Sequence, residues 1–309
     1  MERRKFIRNT LLTSMGTSMI STGAFPFSKE EERENAAYQF NLKYAPHDGM
    51  FKNNAGDNII SQLEFMADQG FTAFEDNEMR NRPIEQQNAM AKVMEKRGIE
   101  MGVFVAHTIS WSKPNLTSGA ADLRAKFLQE ITDAVEVAKR VNAKWMTVVP
   151  GFVDLRVEPG YQTAYVVESL KQACKILEPH NLVIVLEALN YMNHPGLFLH
   201  KTAQAYEICK AVDSPSCKIL YDIYHMQISE GNLIPNIDTA WDEIAYFQIG
   251  DNPGRNEPTT GEINYQNIFK HIYNKGYKGI LGMEHGNSKP GKAGEIAVID
   301  AYKKVDTFL

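Results

Sequence analysis

From Tyr38 onward one unit recurs along the chain: a short apolar run, then a longer segment whose apolar residues return at helical spacing. Eight apolar runs stand out: QFNLKYAP, FTAFED, MGVFVAH, KWMTVVPG, LVIVLEALN, KILYD, IAYFQIGD and GILGMEHG. Between them the spacing predicts helices. The first covers Asp57 to Gln69, with Ile60, Leu63, Phe65 and Met66 as its apolar residues and Gly70 as its C-cap; the second covers Pro83 to Arg97 and closes on Gly98. Further helices are expected over Asp122 to Val141, Tyr161 to Leu177, Thr202 to Ala211, Asp238 to Glu243, Tyr265 to Lys275 and Glu295 to Phe308. Eight apolar strands alternating with helices in one domain-sized chain predict an α/β fold, a (β/α)8 barrel over residues 38–309. An open doubly wound sheet is the competing arrangement. No G-x-G-x-x-G follows the first run, and the repeat keeps its character throughout.

The ends of the later runs carry the chemistry. In KILYDIYHMQ, Lys218 to Gln227, an apolar run ends on Asp222, which reads either as a carboxylate delivered at the C-terminal end of a buried strand or as the cap of a turn or helix. Three similar events favour the first: Glu187, Gln248 and Glu284 also end apolar runs. Their separations are 35, 26 and 36 residues, each close to one strand-helix unit. In a barrel these positions converge at the C-terminal mouth, where active sites lie. Three carboxylates brought together repel one another unless a cation binds them. An all-oxygen set of three acids and an amide favours Mg²⁺ or Mn²⁺ over Zn²⁺. Glu75 and His107 end the second and third runs and would face the same mouth, while Trp111 lies in the loop beyond and would suit a cover over the substrate.

The chain has 309 residues, 43% of them hydrophobic, which suits one large barrel, and no low-complexity linker divides it. Net charge is -5; Arg3, Arg4, Lys5 and Arg8 against Glu2 give the first 24 residues +3, so the remainder carries -8. A chain this acidic has no reason to bind nucleic acid or an anionic membrane. Cys174, Cys209 and Cys217 lack metal-ligand spacing and read as buried thiols rather than as a Cys209 to Cys217 disulfide.

Residues 1–37 read as a targeting segment and leader. Arg3-Arg4-Lys5-Phe6-Ile7-Arg8, then a weakly apolar stretch and small residues at Thr22 and Ala24, resemble a twin-arginine signal. That implies the twin-arginine export machinery as a partner and a periplasmic or exported location. The stretch is too short and polar for a stable membrane span.

LEALN at Leu186 to Asn190, YDIYHMQ at Tyr221 to Gln227, FQIGDNPGRNEPTTGEINY at Phe247 to Tyr265 and GMEHG at Gly282 to Gly286 together resemble the hydroxypyruvate isomerase family. This family belongs to the xylose isomerase-like superfamily of sugar isomerases and epimerases. The likeness runs from about Leu42 to the end and is most specific between Asp222 and Glu284. It implies that Glu187 and Glu284 bind the metal and move the proton, that Asp222 and Gln248 complete the ligand set, and that His225 and Arg255 touch substrate. Related epimerases carry His at the Gln248 position. The AHTISW segment and the export signal depart from the cytoplasmic family members.

The same chemistry can be argued from the residues alone. An isomerase of an α-hydroxy carbonyl compound must remove a proton from one carbon and return it to its neighbour through an enediolate. A metal bound to both substrate oxygens stabilises that charge, and two flanking carboxylates can serve as base and acid. Arg255, in a Pro/Gly-rich loop, suits a substrate carboxylate through a bidentate pair. The leading expectation is an isomerase of a hydroxypyruvate-type compound, with a ketose 3-epimerase or other sugar isomerase as alternative. A metal-dependent hydrolase would want a His-rich zinc site that these strand ends lack, and a non-catalytic sugar-binding barrel would not need both Glu187 and Glu284. Oligomeric state stays open, a homo-oligomer included.

Overall fold

The computed structural model describes residues 38–309. The expected signal and leader fall outside them. Eight strands follow in order: β1 Lys43–Pro46, β2 Ala73–Phe74, β3 Glu100–Met101, β4 Trp145–Val148, β5 Val183–Glu187, β6 Cys217–Asp222, β7 Ile244–Gln248 and β8 Ile280–Met283. Six form one parallel ladder in the order β1-β8-β7-β6-β5-β4, and β2 pairs with β3, also in parallel. Parallel bridges from His47 to Glu75 and from Val105 to Thr147 join the two pieces, closing the ring as a TIM barrel. The third run is extended as expected but only Glu100–Met101 is in regular pairing. Beyond it Thr147 N donates to Phe104 O (2.8 Å) and Ala106 N to Thr147 O (3.0 Å), so contact with β4 continues without a regular ladder.

Strand alternation sorts side chains into two cores. Ala45, Ala73, Val103, Val185, Leu220, Tyr246 and Ile280, from seven of the eight β-segments, pack together as the barrel interior. Their neighbours one residue on, such as Phe74, Leu186, Tyr221, Phe247 and Leu281, face outward against Leu63, Met90, Ile131, Leu170, Ile208, Ile268 and Val298 of the surrounding helices. That outer layer is the larger apolar burial, where Leu170→Ala, for example, should cost about 2–5 kcal/mol.

The helices follow the expected spacing, with some differences. Ile84–Arg97 ends on Gly98 in the left-handed region (φ 66), the conformation glycine takes without strain. The segment expected as helix from Asp238 instead forms Leu233–Ala240 and continues as a 3-10 turn Trp241–Glu243; Pro235 lies within the first turn, where its missing N–H costs nothing. Two short helices were not anticipated, Lys52–Ala55 and Ile223–Ser229. The three cysteines are buried free thiols.

Candidate active site

The interior layer dictates the mouth. Two residues beyond Val185, Leu220 and Tyr246, and four beyond Ile280, the same inward face carries Glu187, Asp222, Gln248 and Glu284. Asp222 stands opposite Gln248 in the ladder, and Gln248 opposite Gly282. Asp222 does both things its sequence position allowed: it ends β6, and its Oδ1 caps the helix Ile223–Ser229 by accepting from His225 N at 3.1 Å. Its Oδ2 is left for the site, 3.3 Å from Arg255 Nη2.

Arg255 also donates Nη2 to Glu284 Oε2 (2.6 Å) and Nε to Glu284 O (3.1 Å), and its guanidinium lies 5.0 Å from the Tyr224 ring centre. Burial lowers its basicity, but Glu284, Asp222 and Glu187 more than restore it, so it stays protonated. Burial pushes Glu187 well above the usual carboxylate range, and the charges of Glu284 and Asp222 push it further. Asp222 is raised by burial against the pull of Arg255. Three carboxyl groups thus face one guanidinium, and their burial and mutual repulsion favour a further cation among them.

Glu75, expected to face the mouth, is not among the residues that line the cavity. It is fully buried below the mouth, accepting from Tyr246 Oη at 2.7 Å and from Gln248 Nε2 at 2.8 Å. Burial and then the charge of Glu284 raise its carboxyl to about 8. The room it fills requires Gly282, where a Cβ would stand 1.8 Å from Glu75 Oε2. With Nε2 held by Glu75, the Gln248 Oε1 is buried and has no hydrogen-bond partner. A bare amide oxygen on the strand next to Asp222, at a barrel mouth that also carries Glu187 and Glu284, fits a divalent cation with oxygen ligands. Ligand atoms of Glu187, Asp222 and His225 lie within 4.8 Å of one another, as do those of His47, Glu75 and Glu284.

His225 is better suited to donate than to ligate. Its Nδ1 receives Asn190 N at 3.1 Å and faces Asn190 Nδ2 at 2.7 Å; the Asn190 amide is oriented by Asn193 N, which donates to Oδ1 at 2.8 Å. Two N–H groups at Nδ1 place the ring proton on Nε2. Burial and then Arg255 push the imidazole down to about 3, so it is neutral. Nε2 is buried without a partner, 3.6 Å from Asp222 Oδ2 and 4.0 Å from Glu187 Oε1.

A cavity of about 440 Å³ opens over these groups, lined by Asn77, Arg80, His107, Trp111, Glu187, His194, His225, Arg255 and Glu284 among others. His107 accepts Val149 N at 3.3 Å through Nε2 and is lowered by burial to about 4. Trp111, half exposed at the rim, stacks on His194 with ring centres 5.5 Å apart. Arg255 lines the cavity, but one arm of the fork expected for a substrate carboxylate, Nη2, is already shared between Asp222 and Glu284. Three contributors were not anticipated. Asn77 donates to Glu284 Oε1 at 2.8 Å, Asn190 orients His225, and Arg80 lines the cavity. Asn77 and Arg80 follow the FED end of the second run within five residues of Glu75, and Asn190 closes the LEALN segment. A search confined to strand-end positions passes over all three.

Residues 63–304 match the family described as xylose isomerase-like TIM barrel. Hydroxypyruvate isomerase of Escherichia coli K12 is 35% identical over 179 residues, covering 58% of this chain and 69% of that protein. The 2-oxo-tetronate isomerase of Pectobacterium atrosepticum is 29% identical over 237 residues, covering 74% and 86%. Among solved structures, an AP endonuclease, family 2, from Brucella melitensis superposes with a TM-score of 0.73 over 82% of this chain and 96% of that one; at 21% identity it speaks to the fold alone. The chain belongs to the xylose isomerase-like TIM barrel family and, within it, to the hydroxypyruvate isomerases. It is an isomerase.

Proposed function

We propose that the enzyme is a divalent-metal-dependent isomerase of a small α-hydroxy carbonyl compound of the hydroxypyruvate type, acting by proton transfer through an enediolate. The observation that carries this reading is the pair of carboxylates, Glu187 and Glu284, on the wall of one cavity; Asp222 ends the strand beside Gln248, whose amide oxygen has no hydrogen-bond partner. Glu187, Asp222, Gln248 and Glu284 would hold the metal, Mg²⁺ or Mn²⁺ by the hardness of the donors, which when bound supplies charge stabilisation to the substrate's two oxygens.

The chain's own groups account for the proton. One of Glu187 and Glu284 takes it from the hydroxyl-bearing carbon, and the other returns one to the neighbouring carbon. Burial and the neighbouring charges raise the affinity of Glu187 for a proton, which favours its taking one from carbon. His225 Nε2–H points at the same space and can donate to the oxygen on which charge develops. Asn77 and Arg255 hold Glu284 from two sides, fixing its direction toward the substrate. Relatives acting on hydroxypyruvate and on 2-oxo-tetronate support the substrate type.

Incubation of the Mn²⁺-supplemented protein with hydroxypyruvate in D₂O tests the reading. Tartronate semialdehyde bearing carbon-bound deuterium is expected. Deuterium appearing in a ketose whose own carbon has inverted, and none from hydroxypyruvate, would move the assignment to a sugar epimerase. No exchange from either would contradict proton transfer at this site.

A further inference from the structure

Arg80 stands on the wall of the 440 Å³ cavity, in the short 3-10 turn Met79–Asn81 that follows β2. Its contacts are sparse. Nη2 reaches Thr108 Oγ1 at 3.4 Å, and Nη1 lies 3.8 Å from Glu130 Oε1. Glu130 is already engaged, accepting Thr108 N at 3.1 Å and Thr108 Oγ1 at 2.7 Å. A guanidinium carries N–H donors on every nitrogen, and this one makes a single long hydrogen bond while its side chain is only 20% exposed. A cation so far withdrawn from water and so little paired is costly unless an anion completes its shell.

The other guanidinium on the cavity wall, Arg255, has its charge met by carboxylates: Nη2 is shared between Asp222 and Glu284, and Nε bonds the Glu284 carbonyl. His107 on the same wall is pushed down by burial. Arg80 and Thr108 belong to the β2–β3 side of the ring, which in an eight-stranded barrel lies across the mouth from β6 and β7. A ligand reaching both sides has its reacting carbons near Glu187 and Glu284 and its other end at Arg80.

We propose that Arg80 binds the carboxylate of the substrate and makes this enzyme selective for α-hydroxy-carbonyl acids over neutral sugars. The planar fork matches the two oxygens of a carboxylate, a geometry that a lysine ammonium cannot reproduce. This deepens the isomerase reading and rests on it for the identity of the reacting end. The 440 Å³ volume lies within the range of small-molecule sites and leaves room for an acid longer than three carbons.

Calorimetric titration of the Mn²⁺-supplemented protein with tartronate, and separately with neutral dihydroxyacetone, tests it in the wild type, Arg80→Ala and Arg80→Lys. Tartronate affinity should fall about tenfold to a hundredfold in the Ala variant, the loss expected for a charged hydrogen-bonded pair, with Lys between the two. Dihydroxyacetone affinity should stay the same in all three. KM for hydroxypyruvate should rise in parallel with the tartronate loss while kcat changes little. No tartronate binding to the wild type, equal tartronate affinity in all three proteins, or an equal loss for both probes would overturn the proposal. Absence of turnover with retained, Arg80-dependent tartronate binding would sink the isomerase reading and leave the anion site standing.

Discussion

Gln248 Nε2 donates to Glu75 Oε1 over 2.8 Å, and this bond from one buried strand end to another leaves the amide oxygen of Gln248 as its free end, without a hydrogen-bond partner. Tyr246 holds the second Glu75 oxygen, so the acid is fixed at both ends. An amide can present either end to a cation, and only the oxygen ligates. Groups that orient a metal ligand from behind typically contribute about tenfold to a hundredfold in affinity. Glu75→Ala should weaken Mn²⁺ binding by that amount in calorimetry, whereas Glu75→Gln, which keeps an oxygen for Gln248 Nε2, should retain most of it. Unchanged affinity in the Ala variant would show that Gln248 needs no such support.

The barrel and the ring of Glu187, Asp222, Gln248 and Glu284 were legible because strand period and repeat length are written directly in the order of residues. Glu75 was misread for a physical reason. A strand-end position says that a side chain points inward, not at which depth it stops; here Tyr246 and the missing Cβ of Gly282 create a pocket below the mouth. Arg255 was placed correctly in its loop, but its pairing with Asp222 and Glu284 depends on the path of a chain whose φ at Arg255 is 49°. The helix beginning at Ile223 was hidden because ILYDIY reads equally well as a continued strand. Asn190 and Arg80 act through three-dimensional neighbours far away in sequence, Asn190 on His225 and Arg80 beside Glu130.

The tautomer of His225 depends on Asn190. Asn190→Asp sets a carboxylate against Nδ1, which favours a proton there and raises the basicity of a ring now held at about 3. NMR titration of the imidazole should show the wild-type ring neutral down to about pH 5 and the variant's ring gaining a proton above that. The variant should also lose activity as the Nε2 donor loses its fixed role. An unaltered titration would mean that Asn190 does not govern the ring.

His107 makes the fold sensitive to acid. Its native value of about 4 lies below the ordinary imidazole value of 6.5, so the unfolded chain takes up the proton first. The contribution to stability is therefore complete above about pH 6.5 and is lost as pH falls toward 4, at up to about 1.4 kcal/mol per pH unit. His107→Gln should flatten the fall in unfolding free energy over that window by about one proton, as measured by urea denaturation at a series of pH values. Parallel wild-type and variant curves would contradict the assignment.

The two glutamates carry the proton transfer proposed for this site, and replacing each with Gln separates that role from metal binding. Gln keeps an oxygen for the metal and removes the basic carboxylate, and a catalytic base typically contributes about 10² to 10⁴-fold in rate. The measurement is kcat together with deuterium wash-in from D₂O for Glu187→Gln and Glu284→Gln, with Mn²⁺ and substrate binding followed by calorimetry. Both variants should bind metal and substrate and lose at least about 10² of kcat; exchange of substrate hydrogen without product in one of them identifies the glutamate it retains as the one that takes the first proton. Near wild-type turnover in both variants would contradict the proton-transfer role and leave the ring as a site for binding a metal without moving a proton.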